Sequence, residues 1–438
     1  MGRHFGAAFA ALVLAALGAG RAGGQQALVA SYLGGAGDDC FHAAVMLADG
    51  TALVAGVMPG ATPETDRAVE SVAGEGDGVV VRLSKSGHKV EAIRRFGGAV
   101  TDMDADGAGH VYVVGAFGSA KLDPATMQAI WTEEVGGADG RVAAGPRGAA
   151  VVLAGQSVTL LDGYGQRLRS WRVGSGFVND VAYHTGTGYV CVTGFYNRRG
   201  QVPGENPNPV QVAYVYAYDG GGEKVWTAYD WPGQEVANRA LMADTRGYRL
   251  AVGADGYLYV AGESAGGNTM WARKSNNLDE ELPLAGTDIY QRPRKTAANH
   301  ITFVGRIHPR TGVTLAGTML LARMENGRGN TIRPRALAAD SGGRVYVGGT
   351  SAEGMPVMRG AFGRATTASG AWFCVFDASF EKRLVFSRPC DGTVLGMALG
   401  RRGTVLAGET KGDLPQVRAL QRKAGGGETD GWLAVFSP

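Results

Sequence analysis

Charge, cysteine and long apolar runs are all scarce in this sequence of 438 residues. Only 19% of the residues are charged, and there are 4 Cys. Beyond the N-terminal segment, no apolar run approaches the ~20 residues that span a bilayer. The CxxC and HExxH spacings of zinc sites and the GxSxG motif of a hydrolase nucleophile are absent. The sequence therefore predicts no transmembrane segment and offers no recognised catalytic motif.

The N-terminus has the three-part pattern of a secretory signal. Arg3 and His4 are followed by an apolar or glycine run over residues 5–20, and small residues continue to Gly24. We therefore predict a signal peptide at residues 1–24. Export would place the protein outside the cell, on the cell surface or in the periplasm.

The charge balance argues against polyanionic partners. The chain has 43 Lys and Arg against 40 Asp and Glu, and two of the arginines, Arg3 and Arg21, belong to the signal segment. The mature chain is therefore close to neutral. It gives no electrostatic reason to expect nucleic acid or an anionic membrane as partner.

Glycine is abundant, at 71 residues, and much of it belongs to a repeat. A glycine turn, an apolar strand and a closing glycine recur seven times, and the shortest spacings between closing glycines are 39 and 40 residues. That length holds four strands of about five residues with their turns. The repeat predicts an all-β fold, a seven-bladed β-propeller of four-stranded antiparallel blades. The closing glycines are Gly56, Gly115, Gly155, Gly194, Gly262, Gly349 and Gly408.

Each closing glycine is predicted to end the second strand of a blade, at a point where a side chain would crowd the neighbouring blade. The two chain ends complete the pattern. An unmatched strand at residues 27–33 begins the mature chain, and residues 431–436 end it with a third strand that lacks a fourth. We expect the two to pair and close the ring, because closure removes exposed sheet edges. One propeller domain over residues 27–438 follows, and we expect a monomer.

Several segments resemble the bacterial seven-bladed β-propeller repeat family, often abbreviated SBBP. They are the start at residues 31–39 (SYLGGAGDD), the Thr350-Ser351 pair after a strand, and the GGGETDGWLAVF of residues 425–436. The resemblance is good in blades 1, 6 and 7, fair in blade 2 and degenerate in blades 3 to 5. It implies an exported or cell-surface bacterial propeller and carries no catalytic residues.

Insertions lengthen the repeat mainly between the second and third strands. They fall at about 57–77, 195–210, 263–300, 350–370 and 409–430. Up-and-down connectivity places all of these connections on one face, which is the expected binding surface. The longest insertion, at 263–300, contributes candidate binding residues of the types that dominate interfaces. They are Trp271, Arg273, Tyr290 and Arg292, and the alternative is that Trp271 and Tyr290 only hold the insertion onto the propeller.

One aspartate run is a candidate calcium site. Asp102, Asp104 and Asp106, followed by Gly107, match the start of a calcium loop, in which closely spaced carboxylates supply oxygen ligands. The twelfth position is Val113, which excludes an EF-hand. The alternative is an ordinary turn between two strands, so no cofactor is expected and calcium stays open.

The four cysteines raise the question of disulfides in an exported protein. Cys40 and Cys390 occupy matching places before the first strands of blades 1 and 7, which are neighbours in a closed ring. A Cys40–Cys390 bond is therefore a candidate if the Cα atoms lie within about 7 Å. Cys374 with Cys390 is the alternative, and Cys191 is expected to be a buried thiol.

Two function classes remain. The first is a non-enzymatic binding or scaffold module for a protein, a polysaccharide or an envelope component, held by the insertion-rich face. The second is a propeller enzyme, either a quinoprotein-like dehydrogenase or a carbohydrate-active enzyme. Residues 122–131 (LDPATMQAIW) resemble one tryptophan-docking repeat of quinoprotein propellers. Because that element occurs clearly once and no adjacent cysteine pair accompanies it, the binding role is favoured.

Overall fold

The computed structural model describes residues 26–60, 62–174, 176–285, 300–363 and 369–438. Its main sheets are seven blades, each with four antiparallel strands in the order a, b, c, d from the central channel outward. The prediction of a seven-bladed β-propeller is confirmed. The predicted signal peptide lies outside the described residues and stays a prediction. Within the described ranges, no helix is long and apolar enough to cross a membrane.

The strands of blades 1 to 4 have the following bounds, in the order a to d. Blade 1 has Cys40–Met46, Ala52–Val57, Gly78–Leu83 and Val90–Phe96. Blade 2 has Val100–Ala105, Val111–Gly115, Gly118–Leu122 and Ala129–Glu133. Blade 3 has Arg141–Ala144, Ala150–Ala154, Ser157–Leu161 and Arg167–Arg172. Blade 4 has Phe177–His184, Tyr189–Gly200, Asn208–Tyr218 and Lys224–Tyr229.

The remaining blades follow the same order. Blade 5 has Thr245–Val252, Leu258–Ser264, Ile301–Ile307 and Thr314–Leu320. Blade 6 has Ile332–Ala339, Val345–Ser351, Gly370–Phe376 and Arg383–Ser387. Blade 7 has Asp391–Gly400, Gly403–Gly412, Asp430–Phe436 and, from the other end of the chain, Ala27–Tyr32.

The connections between these strands contain short helices and short additional strands. The helical ones are the α-helix Gly233–Ala237 and the 3₁₀ turns Pro146–Gly148 and Met270–Ala272. The short strands are Glu70–Ala73, Arg273–Lys274, Asn277–Glu281, Leu284–Ala285, Ala322–Arg323 and Gly329–Asn330.

The ring closes through the two chain ends, as predicted. The N-terminal strand pairs antiparallel with the C-terminal one, with Ala30 opposite Ala434 and Tyr32 opposite Trp432. Val29 and Leu433 are both fully buried between blades 7 and 1. The same closure therefore completes a blade and covers its inner apolar face.

The closing glycines are explained by a bulge in strand a. In blade 7 the pairing with strand b slips at Leu395, and a methyl group on Gly408 would overlap the carbonyl oxygen of Thr393. Six of the seven blades, blade 7 included, show the same slip in the pairing of strands a and b and the same overlap at the closing glycine. The crowding comes from the blade's own strand a, so the predicted clash with a neighbouring blade is wrong for these six. The unpaired bulge residues are His42, Thr101, Asn179, Tyr248, Arg335 and Leu395.

Blade 3 is the exception that supports this account. Its strand a pairs with strand b in an unbroken register from Arg141 to Ala144. A methyl group on Gly155 would meet no atom within 4 Å, and this glycine instead has a φ of +57°. Without the bulge no carbonyl approaches, so Gly155 serves a tight turn rather than a close contact.

The crowding carbonyl accepts a hydrogen bond from strand c in several blades. In blade 7 the indole N–H of Trp432, which lies opposite Gly408, donates to the Thr393 carbonyl at 3.2 Å. Trp372 in blade 6 and the phenol of Tyr214 in blade 4 donate to the equivalent carbonyls. The bulge therefore leaves a partly buried carbonyl acceptor, and these side chains supply its hydrogen-bond donor.

The insertions extend one face of the ring, because every b–c connection emerges there. The blade 4 insertion is not the loop that its sequence suggested. Beyond Gly194 the strands continue as a hairpin, with Phe195 opposite Ala213 and Gly200 opposite Asn208. The glycines Gly200 and Gly233 let this hairpin lie directly against the α-helix, since a methyl group on either would overlap the other's segment.

We expect Gly408→Ala to destabilise the fold by about 2–4 kcal/mol, because the added methyl group would force strand a of blade 7 away from strand b. Urea unfolding followed by circular dichroism measures this change. Gly107→Ala is the matched control, since that position has open space around it and should change stability by less than about 0.5 kcal/mol. Equal effects of the two variants would contradict the bulge account.

Candidate functional site

The central channel is a concave feature that could hold a ligand. Its volume is about 890 Å³, and it is lined by strand a of all seven blades. The bulges help to position its charged groups, because Asp102, Asp180 and Arg249 directly follow a bulge residue and Arg335 is itself one. Together with Arg141 of blade 3, these four residues form a group that we call the charged belt. The belt lies near the start of strand a and therefore toward the insertion-bearing face.

Carboxylates of the belt bridge neighbouring blades. Asp102 in blade 2 accepts a hydrogen bond from the Val142 N–H of blade 3 at 3.0 Å. Asp180 in blade 4 accepts one from the Leu250 N–H of blade 5 at 2.8 Å. Strand a has one edge without a sheet partner, so these carboxylates satisfy N–H groups that the ladder leaves free.

Asp104 lies two residues further along the channel and makes the same kind of bridge. It accepts a hydrogen bond from the Ala144 N–H at 2.8 Å. Burial raises the pKa of Asp104 to about 6, although hydrogen bonds from Ala144 and Ala105 lower it. Burial also raises the pKa of Asp180, against the opposing charges of Arg249 and Arg141.

The arginines of the belt are held by main-chain carbonyls. Arg249 donates from Nε to the Arg335 oxygen at 2.6 Å and from Nη1 to the Tyr248 oxygen at 2.9 Å. Arg141 donates from Nη1 to the Thr101 oxygen at 3.2 Å, and its nearest carboxylate oxygen, on Asp102, is 3.9 Å away. Burial and the charge of Arg141 lower the pKa of Arg249 to about 10.

A second charged cluster lies beside blade 5 on the insertion-bearing face. Glu263 is fully buried and forms ion pairs with Arg246 and with Arg333 at 3.1 Å, and its Oε1 lies 3.3 Å from Nδ1 of His300. Burial raises the pKa of Glu263, but the neighbouring His300 and Tyr248 side chains and the charge of Arg246 outweigh it, so the pKa falls to about 2. The cluster joins the starts of strands a in blades 5 and 6, and its carboxylate is fully engaged.

The three candidate calcium ligands do not converge. Asp102 and Asp104 bridge to blade 3, whereas Asp106 caps the a–b turn and accepts hydrogen bonds from the N–H and ring of His110 and from the Tyr112 phenol at 2.9 Å. Within the described ranges, no group of three or more His, Cys, Asp or Glu side chains could hold a metal ion. Calcium binding stays a prediction, and this geometry favours the turn.

The candidate binding residues fall into two groups. Trp271 is fully buried, stacks on Phe303 with ring centroids 4.5 Å apart and donates its indole N–H to the main-chain carbonyl oxygen of Glu263 at 3.0 Å. Arg273 is half-buried and lies 3.7 Å from Glu281 across a small hairpin. The structure thus places Trp271 in the core, where it holds the insertion onto blade 5. The other two, Tyr290 and Arg292, lie outside the described residues.

The proposed Cys40–Cys390 disulfide is not formed, and all four cysteines are free thiols. Cys390 is buried between blades 6 and 7, whereas Cys40 contacts Glu409 on the blade 1 side of blade 7. Matching places before strand a are one blade apart, and packed sheets are spaced by about 10 Å, beyond the reach of a disulfide. Burial raises the pKa of Cys390 to about 12, so this thiol stays protonated.

Comparison with known proteins supports the fold. No family model and no curated protein matches this chain. Among solved structures, hydrazine synthase from Kuenenia stuttgartiensis is similar with a TM-score of 0.52 and 13% identity, over 84% of this chain and 92% of that one. The structure of U3-55K is similar with a TM-score of 0.53 and 10% identity, over 94% and 100%. At such low identity the likeness shows the β-propeller fold alone.

Of the belt formed by Asp102, Arg141, Asp180, Arg249 and Arg335, a sequence motif indicated only Asp102, and that as a calcium candidate. The members of the belt come from five blades and share no spacing. The available signal was positional, since each lies a few residues before the turn that opens the repeat. Charged residues there stand on strand a, which the predicted topology already placed at the channel.

We expect stability to fall as pH rises from 4 to 7, in part because of Asp104. Its pKa is about 6 in the folded chain against 3.8 ordinarily, so between those values only the folded state holds the proton. Asp104→Asn should remove about 1–3 kcal/mol of this pH-dependent difference, measured by urea unfolding at pH 4 and pH 7. The control Asp162→Asn, in an exposed turn, should keep the wild-type dependence. An unchanged pH dependence in Asp104→Asn would contradict the assignment.

Replacing Trp271 by alanine should destabilise the protein by about 3–5 kcal/mol, because it empties a buried site against Phe303. Thermal and urea unfolding measure this loss. Trp271→Phe should recover part of it, since an aromatic ring can still stack on Phe303, although the indole hydrogen bond and some buried volume are lost. A loss below about 1 kcal/mol in Trp271→Ala would show that the side chain is not a structural anchor.

Proposed function

We propose that this protein is an exported bacterial β-propeller that serves as a binding or scaffold module, with no catalytic role of its own. In this proposal the insertion-bearing face holds a protein, a polysaccharide or another component of the cell envelope. Three lines support it: the signal-like residues 1–24, the resemblance to the SBBP family, and the concentration of extra structure on one face. The last of these carries most of the weight.

The blade 4 hairpin is the clearest piece of added structure. Its strands b and c have 12 and 11 residues, whereas the equivalent strands of blade 2 have 5 each. It is braced by the helix through Gly200 and Gly233, and by Arg198, which pairs with Asp230 at 2.8 Å. A braced extension offers a preformed surface, which lowers the entropy that binding costs.

Aromatic and cationic groups cluster where this hairpin leaves the ring. Phe177 is 53% exposed and stacks on Phe195 with ring centroids 4.5 Å apart. Nearby, the guanidinium of Arg198 lies 4.5 Å from the centre of the Tyr196 ring. Exposed aromatic faces beside arginine are typical of binding surfaces, because they combine apolar contact area with hydrogen-bond donors.

The decisive test is whether this surface holds the protein to the envelope. The mature protein is mixed with washed cell-envelope fragments, and the sedimenting fraction is measured. We expect Phe177→Ser to reduce sedimentation about tenfold, because it removes an apolar anchor worth about 1.4 kcal/mol or more.

Leu168→Ser is the matched control, since Leu168 is 59% exposed but lies on the outer strand of blade 3, away from this face. It should sediment like the unmodified protein. Equal sedimentation of both variants, or no sedimentation of the unmodified protein, would contradict the proposed surface. Matching circular dichroism spectra exclude unfolding as the cause of a loss.

A further inference from the structure

We propose that the central channel holds an oxoanion, a carboxylate or phosphate group of a small ligand, between the guanidinium groups of Arg141, Arg249 and Arg335. The site goes beyond the proposed function, because it is built on the innermost strands and uses none of the insertions. The ligand would enter from the insertion-bearing end, where the charged belt lies.

The three arginines come from strands a of blades 3, 5 and 6, and Asp180 of blade 4 lies between Arg141 and Arg249 around the ring. All three line the channel, and Arg249 is tied to Arg335 through the hydrogen bond from its Nε to the Arg335 carbonyl. Burial and the positive charges of Arg141 and Arg335 lower the pKa of Arg249, while Asp180 and Asp102 act against them, so each of the other two arginines lies within electrostatic range of Arg249. Cations that line a recess of low dielectric favour an anion.

Their hydrogen-bond donors outnumber the acceptors that the protein supplies. A guanidinium has five N–H donors. Among the described residues, Arg141 makes one hydrogen bond and Arg249 two, all to main-chain carbonyls, and Arg335 makes none. Arg335 instead lies over the Tyr248 ring, 5.4 Å from its centre. The buried Nε–H of Arg141 also has no partner within the described chain.

The nearby carboxylates do not use these donors. One carboxylate oxygen of Asp102 and one of Asp180 each accept a hydrogen bond from a main-chain N–H of the next blade. The shortest approach between the belt's acids and its arginines is the 3.9 Å between Arg141 and Asp102, which is too long for a hydrogen bond. The guanidinium groups therefore have N–H donors that remain available to a further acceptor.

The chemistry of the ligand follows from these donors. The guanidinium fork matches two oxygens of a carboxylate or a phosphate, and such charge-assisted pairs are stronger than neutral hydrogen bonds. The channel volume of about 890 Å³ is in the range of small-ligand sites. Because Asp102, Asp104 and Asp180 share the wall, a ligand with a single anionic group suits the channel better than a polyanion.

Calorimetric titration of the mature protein distinguishes the two sources of the oxoanion. Inorganic phosphate and D-glucuronate are the probes, each at low ionic strength with sodium chloride as the reference salt. We expect at least one probe to bind, and Arg335→Gln to weaken that binding at least tenfold. Arg335→Lys keeps the positive charge but lacks the paired N–H donors of the planar guanidinium, and it should give an intermediate affinity. Whichever probe binds identifies the source.

Arg401→Gln is the matched control, because Arg401 is exposed at the opposite end of the same channel. It removes the same charge and should leave the affinity within about twofold. Binding of neither probe, or equal losses in Arg335→Gln and Arg401→Gln, would overturn the proposal. Failure here leaves the envelope test with Phe177→Ser unaffected, so the two proposals can fail separately.

Discussion

The contact between a main-chain carbonyl of strand a and a closing glycine of strand b organises most of this propeller. In blade 7 it joins Thr393 and Gly408 at the bulge residue Leu395. A bulge increases local twist and redirects side chains. The glycine lets the two strands stay paired across it, and a side chain there would force them apart.

The same bulge helps to build the channel. After it, the side chains of Asp102, Asp180 and Arg249 line the central cavity rather than pack into the sheet. The carboxylates then reach the free N–H groups of the next blade, which ties neighbouring blades together. The repeat that specifies the fold thus also specifies the position on strand a from which charged side chains face the channel, although the residue at that position differs between blades.

Blade 5 shows how an individual blade departs from the repeat. In blade 7 the indole beside the closing glycine belongs to strand c, at Trp432. In blade 5 that strand position is Phe303, and Trp271 from the insertion stacks on it. Trp271 therefore looks like an interface residue in the sequence and is a core residue in the fold. Composition could not distinguish the two, because both roles favour a large aromatic ring.

The sequence by itself determined the number of blades, the closure of the ring and the face that carries the insertions. Each of these follows from local periodicity and chain order, which glycine spacing records directly. Only the tertiary structure decided that Cys40 and Cys390 lie on opposite sides of blade 7, and that Arg141, Arg249 and Arg335 line the same channel. Such placements depend on blade thickness, bulge position and side-chain direction, which are set by packing between residues far apart in the chain.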